Sequence, residues 1–125
     1  MRLVLVAVLL FGGCSKSEPQ QSPPAPAAKT KDPATARNLI ASGAVVIDVR
    51  TPDEYAADHL PNATNIPVED VSARLSEIEA LVSGNKAKPI VVYCAAGGRA
   101  AKAKATLDGA GFSHVVNGGG LDDLQ

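Results

Sequence analysis

The sequence has almost no aromatic residues. Tryptophan is absent, and two tyrosines and two phenylalanines make up the 3% aromatic content of its 125 residues. A chain of this length is enough for one domain. Because 46% of the residues are hydrophobic, the core of that domain must be built mainly from valine, isoleucine, leucine and alanine.

The sequence also lacks an excess of charge of either sign. Its 12 basic residues stand against 13 acidic ones, which gives a formal net charge of −1. Proteins that bind the phosphate backbone of a nucleic acid carry basic patches, so no nucleic-acid partner is predicted. Lys102 and Lys104 are isolated from other basic residues and are interpreted as a solvated helix face.

No apolar run is long enough to cross a membrane as a helix. Residues 3–11 fall short of the roughly 20 residues that a membrane span needs. With Arg2 before it and small residues after it, this run is typical of a secretory signal. Residues 11–14, Phe-Gly-Gly-Cys, resemble a bacterial lipoprotein box, so we predict a lipoprotein signal peptide over residues 1–14 with lipidation at Cys14. An uncleaved anchor or an ordinary signal cleaved nearby is the alternative.

The predicted anchor sets the expected location and layout of the chain. The protein is expected in the bacterial cell envelope, on the periplasmic side, with Ser15 favouring the outer membrane. Residues 15–33 are rich in proline and alanine and poor in bulky apolar side chains. Such a segment cannot bury enough surface to offset the entropy of ordering, so we predict a disordered tether there and a folded domain over residues 34–125.

Cysteine and histidine are too scarce for a metal site. The chain has two residues of each, whereas a structural zinc site needs four clustered ligands. We therefore predict no metal and no organic cofactor. With Cys14 lipidated, Cys94 has no resolving cysteine, which argues against thiol–disulfide oxidoreductase chemistry.

Helical and strand patterns alternate through the predicted domain. This alternation predicts an α/β fold, a small parallel sheet of four to five strands with helices on both faces. Apolar runs predict strands, and periodic or alanine-rich stretches predict helices. The strands are expected near residues 44–49, 63–66, 90–93 and 114–117; the helices over 35–42, 68–82 and 99–107; and a sharp turn at the glycines 118–120.

The most informative stretch surrounds Cys94. Residues 90–92 are β-branched and apolar without alternation, as in a strand covered on both faces. Gly97 and Gly98 favour a tight turn, and residues 99–107 are good helix formers. Cys94 is thus expected where a parallel strand ends and a helix begins, the edge at which open α/β sheets bind ligands.

Such a position favours reactive chemistry for Cys94. The free N–H groups of a helix start stabilise a thiolate and hold anions, and Arg99 adds a permanent positive charge. The alternative is an inert core cysteine, since unpaired cysteines are among the most buried residues. A Gly-Gly-Arg turn after the cysteine favours the reactive interpretation.

Two further features precede this loop. Asp48 closes an apolar run, where a carboxylate needs a partner, and is interpreted as a structural support near Cys94. Thr51, Pro52 and Glu54 have the spacing of a helix start with a capping box. His59 is interpreted as a histidine packed under a loop rather than as a proton donor.

Four motifs, in order, resemble those of rhodanese-fold sulfurtransferases. They are DVRTPDEY at 48–55, HLPNATNIP at 59–67, CAAGGR at 94–99, and a closing segment over 111–121 that begins Gly-Phe and ends Gly-Gly-Leu. The resemblance covers about residues 35 to 125. In size and ending, the chain is most similar to the exported, single-domain, phage-shock-protein-E-like members of that family.

The resemblance implies a thiosulfate-sulfurtransferase type of enzyme. Cys94 would carry sulfur as a persulfide from thiosulfate or a related anion to cyanide or a thiol. Asp48 and Arg50 would support the site. The sulfur and the anion would be held by the loop residues Ala95, Ala96, Gly97, Gly98 and Arg99.

Two other functions are compatible with these residues. Cysteine phosphatases and arsenate reductases also combine cysteine with arginine, but with five residues between them instead of the four found here. A tethered module could instead bind sulfur or a partner without turnover. Ala95 and Ala96 bring no charge to the loop, so thiosulfate is expected to be a poor donor.

Overall fold

The computed structural model describes residues 31–125. The predicted signal peptide, with Cys14, and the predicted tether up to residue 30 lie outside the described residues. Residues 31–33, which the sequence assigns to the end of the tether, belong to the folded domain. Asp32 caps the first helix by accepting from the backbone N–H of Thr35. Within the described part, no helix is long and apolar enough to cross a membrane.

The domain consists of four strands and five α-helices in alternation within residues 31–125. The strands are β1 (Val45–Asp48), β2 (Thr64–Asn65), β3 (Ile90–Cys94) and β4 (Val115–Gly120). The helices are α1 (Pro33–Ala41), α2 (Pro52–Ala57), α3 (Leu75–Leu81), α4 (Gly98–Gly109) and α5 (Leu121–Leu124).

The strands form one parallel sheet in the order β2-β1-β3-β4. The predicted α/β fold is therefore confirmed, with four strands in the described residues. The central position of β1 and β3 explains their unbroken apolar runs, because strands covered on both faces have no solvent side. Their register aligns Val46 with Val91 and Asp48 with Tyr93.

Alternation along β3 divides the core into two layers. Ile90, Val92 and Cys94 face the layer that holds α3 and α4. Val91 and Tyr93 face the layer that holds α1 and α5. The sulfur therefore lies on the α4 side of the sheet.

The single helix predicted for residues 68–82 is wrong. Two 3₁₀ turns, Val68–Asp70 and Ser72–Arg74, precede the short helix α3. Apolar residues recur here mostly at a spacing of three, which suits the three residues per turn of a 3₁₀ helix. Of these apolar residues, Val71, Ile78 and Val82 are buried in the core, whereas Leu81 is exposed.

The sharp turn predicted at Gly118–Gly120 is also wrong. These glycines continue β4, and the register slips between Val92, which aligns with Asn117, and Cys94, which aligns with Gly120. The extra residue on β4 makes a bulge, and Gly119 adopts the positive φ of 92° that such a bulge favours. Because these glycines have no Cβ atom, atoms of neighbouring segments can approach the backbone of β4 closely. The glycines do not reverse the direction of the chain.

Candidate active site

Cys94 is the last residue of β3, and its sulfur lies inside the protein. The residue is 2% exposed, and the backbone N–H of Gly97 donates a hydrogen bond to its Sγ atom over 2.9 Å. Since α4 begins at Gly98, only residues 95–97 connect the strand to the helix. The structure thus places Cys94 at the junction that the sequence predicts.

A glycine and a buried asparagine fix the shape of this loop. Gly97 has a φ of 111°, which side chains disfavour. Asn117, 2% exposed, donates from Nδ2 to the carbonyl oxygen of Gly97 over 3.1 Å. Its Oδ1 accepts from the N–H of Gly119 over 2.9 Å. Asn117 was not predicted as a site residue. The one feature of the sequence that could have indicated its role is an amide side chain within an otherwise apolar strand.

The loop rests against the glycine segment of β4. A Cβ atom on Gly120 would lie 2.1 Å from the carbonyl oxygen of Ala95. On the other layer, a Cβ atom on Gly118 would lie 2.9 Å from Cδ1 of Leu124. Close approach of the Cys94 loop to β4 therefore requires the absence of a side chain at Gly120.

We expect Gly120→Ala to displace the Cys94 loop. Overpacking of this kind costs about 1–3 kcal/mol, and the moved loop should slow any reaction of Cys94. Urea unfolding and the rate of Cys94 alkylation measure the two effects. Gly109→Ala is the matched control, because nothing lies within 4 Å of a Cβ atom there. Equal behaviour of the two variants would contradict this account of the loop.

The outer side of the loop is small and open. Ala95, Ala96 and Gly98 are exposed, so no large side chain of theirs covers the sulfur. The N–H groups of the first helical turn, Gly98 to Ala100, have no acceptor within the helix. A substrate that reaches the Cys94 sulfur would therefore meet backbone N–H donors. No loop residue before Arg99 presents a charged side chain to it.

Arg99 is held by a carboxylate from another element. Its Nη1 donates to Oε1 of Glu54 over 2.7 Å and its Nη2 to Oε2 over 3.1 Å. The two residues are 45 apart in sequence, so no local pattern could predict the pair. The pKa of Arg99 is raised, chiefly by these hydrogen bonds and also by the charge of Glu54.

Glu54 is fixed in turn by the start of α2. The predicted capping box is confirmed: Thr51 accepts from the N–H of Glu54, and Glu54 accepts from the N–H of Thr51. Hydrogen bonds from Arg99, and then from Thr51, lower the pKa of Glu54 to about 2. Glu54 was predicted as a cap and missed as a partner of the loop.

Asp48 and Arg50 form a buried ion pair at the end of β1. Nη2 of Arg50 donates to Oδ2 of Asp48 over 2.7 Å, and its backbone N–H donates to Oδ1. Asp48 is 0% and Arg50 7% exposed, and the guanidinium lies 5.7 Å from the ring centroid of Tyr93. The pair thus braces the residue that precedes Cys94, which supports the structural role predicted for Asp48.

His59 differs from its prediction. Its side chain is exposed instead of packed under a loop. The ring stacks on Tyr55 with centroids 3.8 Å apart, and Nδ1 bonds to the Tyr55 carbonyl oxygen. The neighbouring ring, not a covering loop, positions this histidine. Among the described residues, no group of three or more His, Cys, Asp or Glu side chains could hold a metal ion.

Comparison with known families and proteins gives consistent results. Residues 32–123 match the family model described as Rhodanese-like domain. The thiosulfate sulfurtransferase PspE of Escherichia coli (strain K12) is 40% identical over 78 residues, which are 62% of this chain and 71% of that protein. The thiosulfate sulfurtransferase GlpE of Pseudomonas entomophila (strain L48) is 37% identical over 95 residues, or 73% of this chain and 80% of that protein.

A solved structure gives the same result in three dimensions. It is a rhodanese with anions from E. coli, with 38% sequence identity and a TM-score of 0.57. The superposition covers 65% of this chain and 91% of that one. Sequence and structure therefore lead to the same group of proteins.

Proposed function

This chain belongs to the rhodanese-like domain family and is a sulfurtransferase, and on that premise we propose that it carries sulfane sulfur as a persulfide on Cys94. The donor is thiosulfate or a related sulfur compound, and the acceptor is cyanide or a thiol. The observation that carries the proposal is the Cys94 sulfur, which accepts the Gly97 N–H at the carboxyl end of a central strand.

The proposed reaction has two displacement steps. The Cys94 thiolate attacks the outer sulfur of thiosulfate, the S–S bond of the donor breaks, and sulfite leaves with the bonding electrons. The enzyme then holds a Cys94 persulfide. A thiophilic acceptor attacks its outer sulfur, the new S–S bond breaks, and the thiolate is restored.

The loop supports this chemistry through its backbone. In the proposal, the N–H groups of residues 95–99 stabilise the negative charge of the leaving anion and of the persulfide. Preorganised hydrogen-bond donors stabilise developing negative charge in the same way in other enzymes. Gly97 already donates to Sγ, and Arg99 orients the anion. Asp48 and Arg50 keep the end of the sheet in place.

Intact-protein mass spectrometry after incubation with thiosulfate tests the function directly. We expect the mass to increase by one sulfur atom, with the added atom located on Cys94 by peptide mapping. Addition of cyanide should remove the atom and release thiocyanate. An unchanged mass with thiosulfate and with a small persulfide would refute the proposed function.

We also propose a cellular location, based on residues 1–14 alone. Lipidation of Cys14 anchors the protein to a membrane of the cell envelope, and the domain faces the periplasm. What supports this proposal is the basic start, the short apolar run and the Phe-Gly-Gly-Cys sequence.

A further inference from the structure

Three cations near the Cys94 loop are each paired with a carboxylate. Arg99 is paired with Glu54, and Arg50 with Asp48. Lys31, whose Cδ lies 3.7 Å from where a Cβ atom of Gly97 would be, pairs with Asp123 over 3.0 Å. Each of these pairs is neutral, so none of the three cations adds an uncompensated positive charge beside the loop.

Glu54 neutralises Arg99 in a way that a mobile surface carboxylate could not. Each oxygen of Glu54 accepts from a different terminal nitrogen of Arg99. The hydroxyl and the N–H of Thr51 both donate to Oε1 of the same carboxylate. The capping box therefore keeps the negative charge of Glu54 in place beside the one cation that belongs to the loop.

The Cys94 loop and Arg99 together form the cradle that receives the sulfur donor. On the basis of the persulfide mechanism proposed above, we infer that this cradle is suited to a persulfide donor of low charge. Glu54 is the residue that disfavours dianionic donors. Thiosulfate carries two negative charges. A thiol persulfide, R–S–SH, carries at most one on its sulfur atoms. Ala95 and Ala96 offer no positive charge of their own, so the donor class depends on whether Arg99 is neutralised.

The step with such a donor is balanced without an oxidant or reductant. The Cys94 thiolate attacks the outer sulfur of R–S–SH, the donor S–S bond breaks, and a new bond forms between Sγ and that sulfur. The thiolate R–S⁻ leaves and takes up the proton. The products are the Cys94 persulfide and a free thiol.

Glu54→Gln separates the charge of Glu54 from its shape. The amide oxygen still accepts a hydrogen bond, but the charge of Arg99 is no longer cancelled. We expect kcat/KM for thiosulfate to increase about five- to tenfold, mainly through a lower KM, because one unit charge near a dianion has an effect of that order. With 2-hydroxyethyl persulfide as donor, kcat/KM should increase by no more than about two- to threefold, since its sulfur atoms carry at most half the charge of thiosulfate.

Glu77→Gln is the matched control. It makes the same chemical change in another arginine–glutamate pair, in which Nη2 of Arg74 donates to Glu77 over 2.7 Å on the surface of α3. This variant should leave the ratio of the two donors unchanged. If Glu54→Gln slows both donors equally, Glu54 only holds Arg99 in position, and the inference about donor charge is wrong.

The wild-type protein gives a second measurement that does not depend on the folding of a variant. Neutral ion pairs around a Cys94 thiolate predict a kcat/KM for thiosulfate that does not fall as ionic strength rises, whereas a positive cradle predicts a steep decrease as salt screens it. A steep decrease overturns the inference. Failure of Cys94 to gain sulfur from either donor would instead refute the proposed function.

Discussion

Replacement of Cys94 by serine is expected to abolish sulfur transfer. A serine oxygen cannot accept a sulfane sulfur, and loss of a nucleophile typically costs at least about a thousandfold in rate. Stability should change little, because a hydroxyl of nearly the same size can accept the Gly97 N–H in place of Sγ. Thiocyanate formation, intact mass and thermal unfolding measure the three expectations.

The second cysteine of the chain provides the control for that variant. Cys14→Ser removes the other cysteine of the sequence and should still gain one sulfur atom from the donor. Turnover by Cys94→Ser above the rate without enzyme would contradict the assignment of Cys94. If a partner still binds and wild type transfers sulfur from no donor, the chain is a binding module instead.

Removal of Asp48 is expected to have the largest effect on stability. Asp48→Ala leaves the guanidinium of Arg50 without its carboxylate in a site that is 7% exposed. An unpaired buried charge of this kind costs about 3–5 kcal/mol. The variant also leaves the N–H of Arg50 without its acceptor. Urea unfolding should show a lower midpoint at an unchanged slope.

A surface pair calibrates this prediction. Asp108→Ala removes the partner of Lys104 on α4, an exposed pair one helical turn apart. Such pairs contribute about 0–1 kcal/mol. If Asp48→Ala loses no more stability than Asp108→Ala, then water or another group compensates Arg50, and the pair does not brace Tyr93.

Local features of the site were predictable from the sequence. The junction at Cys94 follows from a β-branched run, two glycines and an alanine-rich helix, which are adjacent along the chain. The capping box at Thr51 has a fixed spacing of three residues. Asp48 stood out because a carboxylate at the end of an apolar run needs a partner nearby, and Arg50 is two residues away.

Contacts between distant segments were not predictable. Arg99 and Glu54 are 45 positions apart in the sequence, and Asn117 and Gly97 are 20 positions apart. No periodic pattern in the sequence indicates contacts over such separations. The glycines of β4 were misread for a different reason. Glycine permits a sharp turn, a bulge or a close backbone approach, and only the position of Ala95 decides between these possibilities.

The position of Lys31 has a consequence for the way in which the domain meets its surroundings. Lys31 lies beside Gly97 and is tied to Asp123, and the next residue donates its backbone N–H to the Asn117 carbonyl oxygen. Consecutive Cα atoms are 3.8 Å apart, so the polypeptide enters the domain next to the Cys94 loop. An affinity tag or fusion partner joined directly before Lys31 would begin within one residue of a side chain that contacts this loop, and a tag at the other end of the chain avoids that crowding.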